Sequence, residues 1–448
     1  MEYKKLLKTT PYKAGGHSSF NVDPRSKVLV VGSRDPKHRD LAYLGKVYEQ
    51  SRTGSLLDFS VGLDLSFPHV IGIFGSRGSG KSYDLGVILE GVFSSSRNDV
   101  TDAAIVFDIQ DQFWTLAFKP DPELKEDAEH IAGLSRWGIE PEAVSDLKVW
   151  VPQCSDTQVP GAEKFSLAGS QLNYADWLSL LELERFSPMG QALSVVLEAS
   201  TTRTPEALAD LCDADGLLSG FQQATVDGLK WRIESLESTE IIGATGISVD
   251  DLLQKGGLTV VLMRNLSDAV RGLIVGVVSR LVSDRMGRIQ QQRKVALRTK
   301  SAGLVNSEGL TRRLWLVLDE AHVLVPADGA TAATAPLIDY VKRGRDAGLS
   351  LVFATQQPSA VNSKLMSQVD LTLTHMLGFE TDLSAASARM PTRASVDYDI
   401  DSQSVSNISD IIRSLGPGEC VVADSASPRI FVAKVRPRST AHGGATPT

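Results

Sequence analysis

The sequence predicts an α/β fold around a mostly parallel sheet, with a small N-terminal β module in front and a helical insertion inside. Three observations predict it. Apolar runs of strand length recur at residues 69–74 (HVIGIF), 103–107 (AAIVF), 258–263 (LTVVLM), 314–318 (LWLVL) and 349–354 (LSLVFA). Helical periodicity separates them, which is the alternation of a parallel sheet. A glycine-rich turn, GSRGSGKS at 75–82, joins the first of these strands to a helix-periodic stretch at 81–93, a strand–loop–helix unit. From about 120 to 250 the pattern becomes mainly helical, at 174–183, 191–198 and 221–236, with a helix-entry signal at Thr204 and Pro205.

The flanks follow. Residues 1–25 are polar and rich in Gly, Lys and Ser, with poor order expected; 27–32 (KVLVVG) predicts a strand, and 33–66 holds strand-sized apolar runs. The domains expected are therefore a β module at 1–66, a main domain at 67–436 with its insertion at about 120–250, and a flexible tail at 437–448, which has no core-forming pattern. Residues 287–313 are basic through Arg288, Arg293, Lys294, Arg298, Lys300, Arg312 and Arg313, and their polar middle predicts a loop. Further strands are expected at 371–377, 419–423 and 429–435. No internal repeat is visible.

Composition excludes several classes. The chain has 448 residues, 42% hydrophobic and 22% charged, ordinary for a globular protein. A net charge of −8 gives no whole-chain attraction to nucleic acid, so any such site is a local basic lining on an acidic body. Cys154, Cys212 and Cys420 lie far apart with no CxxC. They form neither a disulfide framework nor a zinc pattern, and they fit a reducing cytosol. The N-terminus lacks a long apolar segment, and no run approaches the roughly 18 apolar residues of a membrane span. The most apolar helix, 269–286, carries Arg271, Arg280, Asp284 and Arg285 and reads as core-packed. A cytoplasmic protein without membrane contact is expected.

Chemistry concentrates at the strand ends. Gly75, Gly78, Ser79 and Gly80 allow a tight backbone whose N–H groups face phosphate oxygens; Lys81 reaches the β- and γ-phosphates, and Ser82 can ligate magnesium. ATP and Mg2+ are the cofactors this implies. Asp319 ends an apolar strand, where it would hold the magnesium through water, and Glu320 follows, placed to polarise the attacking water. The pair alone also suits the cap of a following helix. Gln356 ends the next strand, where an amide can contact the γ-phosphate without titrating; the plainer alternative is a bond to backbone. Arg343 and Arg345, in YVKRGRDAG, sit at a helix end that favours cations, or one of them is an arginine finger donated in trans to a neighbouring subunit's ATP. Asp108 ends the strand before FDIQDQFW as a further candidate magnesium or water ligand, and a turn cap fits it equally.

The letters DEAH at 319–322 invite comparison with DEAH-box helicases. Asp319 lies 238 residues after Lys81, far beyond the spacing in those enzymes, and their arginine-rich second motor domain is absent. The ordered set HVIGIFGSRGSGKS, VFDIQDQF, GLTVVLMRNLSDAVRGLIVGVVSRLVSDR, LWLVLDEAHVLVP, YVKRGRDAGLSLVFATQQPS, LGPGECVVAD and SPRIFVAKVRPR resembles the HerA/FtsK superfamily of ring-shaped DNA-pumping ATPases, specifically its HerA branch, over about residues 67–438. The resemblance implies a RecA-like P-loop NTPase motor behind a small, here reduced, β-barrel-like partner-docking module. It also implies a homo-hexamer that moves double-stranded DNA through the ring and works with a nuclease. The same resemblance extends to anti-phage systems, where a HerA-like subunit assembles with a nuclease or an NAD-hydrolysing sirtuin-like effector. Lys81, Ser82, Asp319, Glu320 and Gln356 align with the family's ATP-site residues, and Arg345 with its trans-arginine position. Where the family usually has Asp, then His, Gly and Glu after the second strand, this chain has Asp108, then Gln110, Asp111 and Gln112. The loop at 327–335 and the basic stretch 288–300 are the candidate DNA contacts, the latter equally a solvated surface loop. A nucleotide-gated scaffold that regulates an effector without moving DNA is the alternative function.

Overall fold

The computed structural model describes residues 8–9, 22–23, 26–33, 40–48, 58–94, 101–237, 239–299, 311–390, 396–400, 403–405, 407–427 and 429–443. Among these, a sheet of fourteen strands organises the chain. One part is parallel: Leu371–Thr374, Val70–Phe74, Leu349–Thr355, Leu314–Leu318, Ala103–Asp108, Leu258–Leu262, Leu147–Pro152 and Glu163–Phe165 lie side by side in that order. Beyond Leu371–Thr374 the antiparallel strands Glu419–Asp424 and Arg429–Val435 continue the sheet. Leu41–Val47, Ser60–Asp64, Val28–Val31 and Val22–Asp23 extend it further. This is the α/β, mostly parallel architecture that the strand–helix alternation predicts.

The apolar runs are continuous because both faces of the sheet are covered. Leu314, Leu316 and Leu318 join Ile105 and Phe107 in one core, while Trp315 and Val317 join Ala104 and Val106 in the other. Helix Lys81–Val92 covers the second core through Leu85, Ile88, Leu89 and Val92. Helices Asp268–Thr299 and Thr334–Ala347 cover the first. Each such side chain contributes about 1.5–3 kcal/mol on burial, so the two layers hold the strand ends in fixed register.

The strands at 22–64 are continuous with the rest of the sheet. Leu41–Val47 pairs with Arg429–Val435, and Gly45 permits the close approach, since a Cβ there would fall 2.1 Å from the Lys434 carbonyl oxygen. The poor order expected for residues 1–25 falls largely outside the described residues.

Three segments differ from expectation. The stretch 120–250 contains two strands of the central sheet besides helices Tyr174–Leu180, Pro188–Ala199, Pro205–Cys212 and Gln223–Glu237. Val149, Trp150 and Val151 favour a pleated surface and find it beside Leu258–Leu262. Residues 288–299 are not a loop: helix Asp268–Thr299 runs through them. Gln, Arg, Lys, Ala and Leu are good helix formers, and Gln290 Nε2 ties the helix to the Arg312 carbonyl at 2.9 Å. Lys300 lies outside the described residues.

The segment after Pro437 is the third. Arg438, Ser439 and Thr440 are buried, held by polar contacts that a search for apolar pattern cannot see. Glu90, on the phosphate-loop helix, accepts from Arg436 Nη1 at 2.6 Å, from Ser439 N at 3.0 Å, and from Thr440 N and Oγ1 at 3.0 and 2.7 Å. Residues 437–443 therefore pack against that helix and are no flexible tail; 444–448 lie outside the described residues.

Candidate active site

The predicted chemistry converges at the carboxyl ends of four adjacent parallel strands, where open α/β sheets bind ligands. Phe74 is in register with Thr355 and Thr374, and Leu318 with Phe353 and Phe107. The glycine-rich loop, Gln356, the Asp319–Glu320 pair and Asp108 thus emerge side by side, although Ser82 and Asp319 are 237 residues apart.

In the loop, Gly78 (φ +74°) and Gly80 (φ +118°) lie in the left-handed region that glycine alone enters without strain. Gly80 caps helix Lys81–Val92, whose free amides and dipole attract anions. Lys81 is buried, and its Nζ donates to the Ser76 carbonyl at 3.0 Å. Burial lowers its pKa, against the opposing pull of Glu320, Asp319 and Asp84. Ser79 Oγ is buried with no hydrogen bond among the described residues.

Asp319 is fully buried; it accepts from Glu320 N at 3.1 Å and from Ser82 Oγ at 3.4 Å. Burial, reinforced by the charge of Glu320, pushes its pKa up to about 6. Glu320 has φ +51° and ψ +53°, a left-handed conformation that side chains other than glycine enter at a cost and that collects at functional sites. Its Oε1 accepts from Gln356 Nε2 at 2.5 Å. Its Oε2 is buried without a hydrogen bond among the described residues, 3.5 Å from His322 Nδ1. His322 Nδ1 also lies 3.1 Å from Thr355 Oγ1.

These residues fit a nucleotide–magnesium complex. The loop is a cradle of amides with an unpartnered buried hydroxyl. Ser82 and Asp319 bring two hard oxygen donors together, the donor type magnesium requires. Among the described residues no group of three His, Cys, Asp or Glu side chains could hold a metal by itself. That suits an ion bound by one or two protein oxygens and by phosphate.

Asp108 takes a different part. Oδ1 accepts from Gln110 N at 3.1 Å and Oδ2 from Phe113 N at 2.7 Å, so its carboxylate closes the turn after its strand. Burial is the main cause that pushes its pKa up to about 7, with Asp319 and Asp111 adding. Gln110 and Gln112 bond to each other at 2.8 Å.

The two arginines also separate. Arg343 pairs with Asp284 at 3.2 Å and Asp339 at 2.8 Å. Arg345 is exposed and has no ion pair among the described residues. Beside Gln356 a cavity opens, lined by Ser76, Arg77, Gln357, Phe379 and Asp382, with Phe379 78% exposed.

Of the candidate DNA contacts, residues 327–330 are exposed and 331–333 rest on the long helix, where a Cβ at Gly276 would meet the Ala332 carbonyl at 2.4 Å. Residues 327–335 carry no cation, and the exposed residues 327–330 offer phosphate only backbone N–H groups. On the basic helix end, Lys294 is 3.7 Å from Asp346, both exposed.

Sequence reasoning missed His375 and Asp84. They are 0% and 2% exposed, and His375 Nε2 lies 2.7 Å from Asp84 Oδ2. The available signals were a histidine directly after a strand and an aspartate one turn after Lys81. His322 and Thr355, beside Glu320, were missed as well.

Comparison with known proteins bears on the family and the fold. The family described as Helicase HerA, central domain, matches residues 42–282, more than half of the 448. No curated protein sequence matches. Among solved structures, the plasmid coupling protein TrwB in complex with the non-hydrolysable ATP analogue ADPNP superposes with a TM-score of 0.52 at 16% identity, covering 100% of this chain and 97% of that one. TrwB in complex with ADP and Mg2+ gives 0.51 at 15% identity, covering 84% and 86%. VirB4 of Thermoanaerobacter pseudethanolicus gives 0.50 at 17% identity, covering 88% and 96%. At these identities the likeness is one of fold. Among the described residues no helix is long and apolar enough to cross a membrane.

Proposed function

The chain belongs to the HerA helicase family and is a P-loop ATPase, and from that premise we propose that it hydrolyses ATP with magnesium as a homo-hexameric ring that translocates double-stranded DNA. The observation that carries the proposal is the meeting of Lys81, Ser82, Asp319, Glu320 and Gln356 at neighbouring strand ends, with Arg345 exposed and without an ion pair among the described residues.

Lys81 leaves the Ser76 carbonyl to contact the β- and γ-phosphates. Ser82, and Asp319 through water, would hold the magnesium, which when bound would supply charge neutralisation for the phosphates. Glu320 orients the attacking water and accepts its proton as the new oxygen–phosphorus bond forms and the bond to the β–γ bridging oxygen breaks. Gln356 trades its bond to Glu320 for one to the γ-phosphate, so the carboxylate is released when phosphate is present. Arg345 reaches the ATP of the neighbouring subunit and stabilises charge in the transition state, a contribution of about 10³–10⁵ in rate for such fingers.

DNA would be contacted by residues 327–330 and by the basic end of the long helix. A nuclease, a sirtuin-like NAD hydrolase or another effector would dock at the N-terminal module, in cytoplasmic DNA repair or anti-phage defence. Identification of the co-purifying subunit distinguishes these. The acidic balance of the chain, −8, favours a second function: a nucleotide-gated scaffold that switches an effector without moving DNA. The test is ATP turnover with and without duplex DNA across a salt series. Translocation requires stimulation by duplex that falls steeply as salt rises. Turnover unchanged by saturating duplex at low salt removes translocation and leaves the scaffold.

A further inference from the structure

We propose that His375 is a positioning residue of the phosphate loop, and that it cancels the charge of a carboxylate buried beneath that loop. The proposal rests on the ATPase function above and deepens it.

Asp84 lies one turn after Lys81 in helix Lys81–Val92, almost fully buried. An anion near a helix N-terminus is favoured by the dipole. The same dipole draws nucleotide phosphates, so an uncompensated carboxylate one turn below competes with them. Its field reaches Lys81, one of the charges that hold that lysine protonated.

His375 answers that charge. Its Nδ1 is 2.9 Å from the Glu419 carbonyl oxygen and its Nε2 is 2.7 Å from Asp84 Oδ2. A carbonyl only accepts, so Nδ1 carries a proton. The hydrogen bond between Nε2 and Asp84 Oδ2 holds one further proton, so the pair as a whole carries no net charge. The residue also touches the loop itself. A Cβ on Gly75 would lie 2.8 Å from His375 Cβ, and one on Gly80 would lie 3.6 Å from Cε1. His375 N donates to the Phe74 carbonyl at 2.8 Å, and the Met376 carbonyl accepts from Ser76 N and Oγ, each at 2.8 Å. Ser76 in turn receives Lys81 Nζ. One residue thus joins the strand before the loop, the helix after it and the strand beginning at Glu419.

A matched comparison exists in the same molecule. His69 is equally buried, with Nε2 2.7 Å from the Asp64 carbonyl and Nδ1 3.4 Å from Asp370 Oδ2, but it precedes Val70–Phe74 at the end away from the loop. The experiment measures the affinity of the full chain for ADPNP with magnesium, with KM and kcat for ATP. His375→Ala is expected to weaken ADPNP binding about tenfold, the scale of one charge acting across ~10 Å at an effective dielectric near 20, and to raise KM more than it lowers kcat. Adding Asp84→Asn is expected to restore most of the affinity. His69→Ala is expected to lower thermal stability and leave affinity unchanged. His375→Gln keeps a donor and the fold but not the neutralised charge, so it weakens binding as alanine does; it carries the same test, with and without Asp84→Asn, where alanine prevents folding. Equal affinity in the His375 and His69 variants, or a double variant no better than the single, overturns the proposal. A wild-type chain that neither binds nor hydrolyses ATP overturns the ATPase function instead.

Discussion

Gln356 Nε2 donates to Glu320 Oε1 at 2.5 Å, so the amide that ends one strand holds the carboxylate that ends its neighbour. In the proposed mechanism, phosphate sensing and water activation therefore share one hydrogen bond. Glu320→Gln is expected to keep ATP binding and to lower kcat by about 10²–10⁴, the usual contribution of a positioned general base. Gln356→Ala is expected to lower kcat with a smaller change in affinity. Steady-state phosphate release and calorimetric binding read both; loss of ATP binding in Glu320→Gln would count against its role as base.

Lys81 is held inside its own loop by the Ser76 carbonyl. Lys81→Ala is expected to weaken nucleotide binding about 10- to 100-fold, the scale of a hydrogen bond to a charged group. Calorimetric titration checks this, and an unchanged Kd would place the phosphates elsewhere.

Arg343 and Arg345 stand two positions apart with different surroundings, one doubly ion-paired and one unpaired among the described residues. Arg345→Ala is expected to bind ATP and lose about 10³-fold or more in turnover. Arg343→Ala is expected to lose at most about 1 kcal/mol of stability, as exposed pairs do. Mixing Arg345→Ala with Glu320→Gln subunits is expected to restore part of the activity, because some interfaces then hold both wild-type residues. Absence of rescue in rings shown to be mixed would exclude action in trans.

Asp108 carries a pH signature. Its folded pKa, about 7, stands above the ordinary 3.8 because burial disfavours the anion. The folded state therefore holds the extra proton between those values. The stability this group contributes is full below about pH 4 and is lost as pH rises toward 7, at up to about 1.4 kcal/mol per unit. Urea unfolding of the nucleotide-free protein from pH 5 to 8 is expected to show that decline, and Asp108→Asn to flatten it. A decline of the same slope in the variant would assign it to other groups.

Glu90, Arg436 and Arg438 form a buried cluster that closes residues 436–440 over the phosphate-loop helix. Arg438→Ala is expected to cost about 3–5 kcal/mol, the scale of leaving one partner of a buried pair uncompensated. Chemical denaturation measures it, and a cost below about 1 kcal/mol would mean that the cluster behaves as an exposed one.

Most strands of the central sheet, the glycine-rich loop and the places of Lys81, Ser82, Asp319, Glu320 and Gln356 were legible from the chain alone, while Leu147–Pro152 and Glu163–Phe165 were not. Each legible feature is written in a local pattern: an apolar run of strand length, a glycine spacing, a polar residue where the run ends. The separate surroundings of Arg343 and Arg345 were not legible, because the partners of Arg343 come from another turn and another helix. For Asp108 a turn cap was one of two open readings, and the choice depends on where the backbone N–H groups two and five residues onward point.

Local order along the sequence thus determined that this chain builds a P-loop ATPase and which polar residues stand at its strand ends. Only the tertiary structure decided that Gln356 holds Glu320, that His375 faces Asp84 beneath the loop, and that Arg438, Ser439 and Thr440 are buried. The physical reason is the same in all three. A polar side chain is buried only when its partners arrive in space, and here those partners lie 36, 291 and 350 residues away for Gln356–Glu320, His375–Asp84 and Thr440–Glu90. Periodicity records which face of an element is apolar; it does not record which distant charge will meet it.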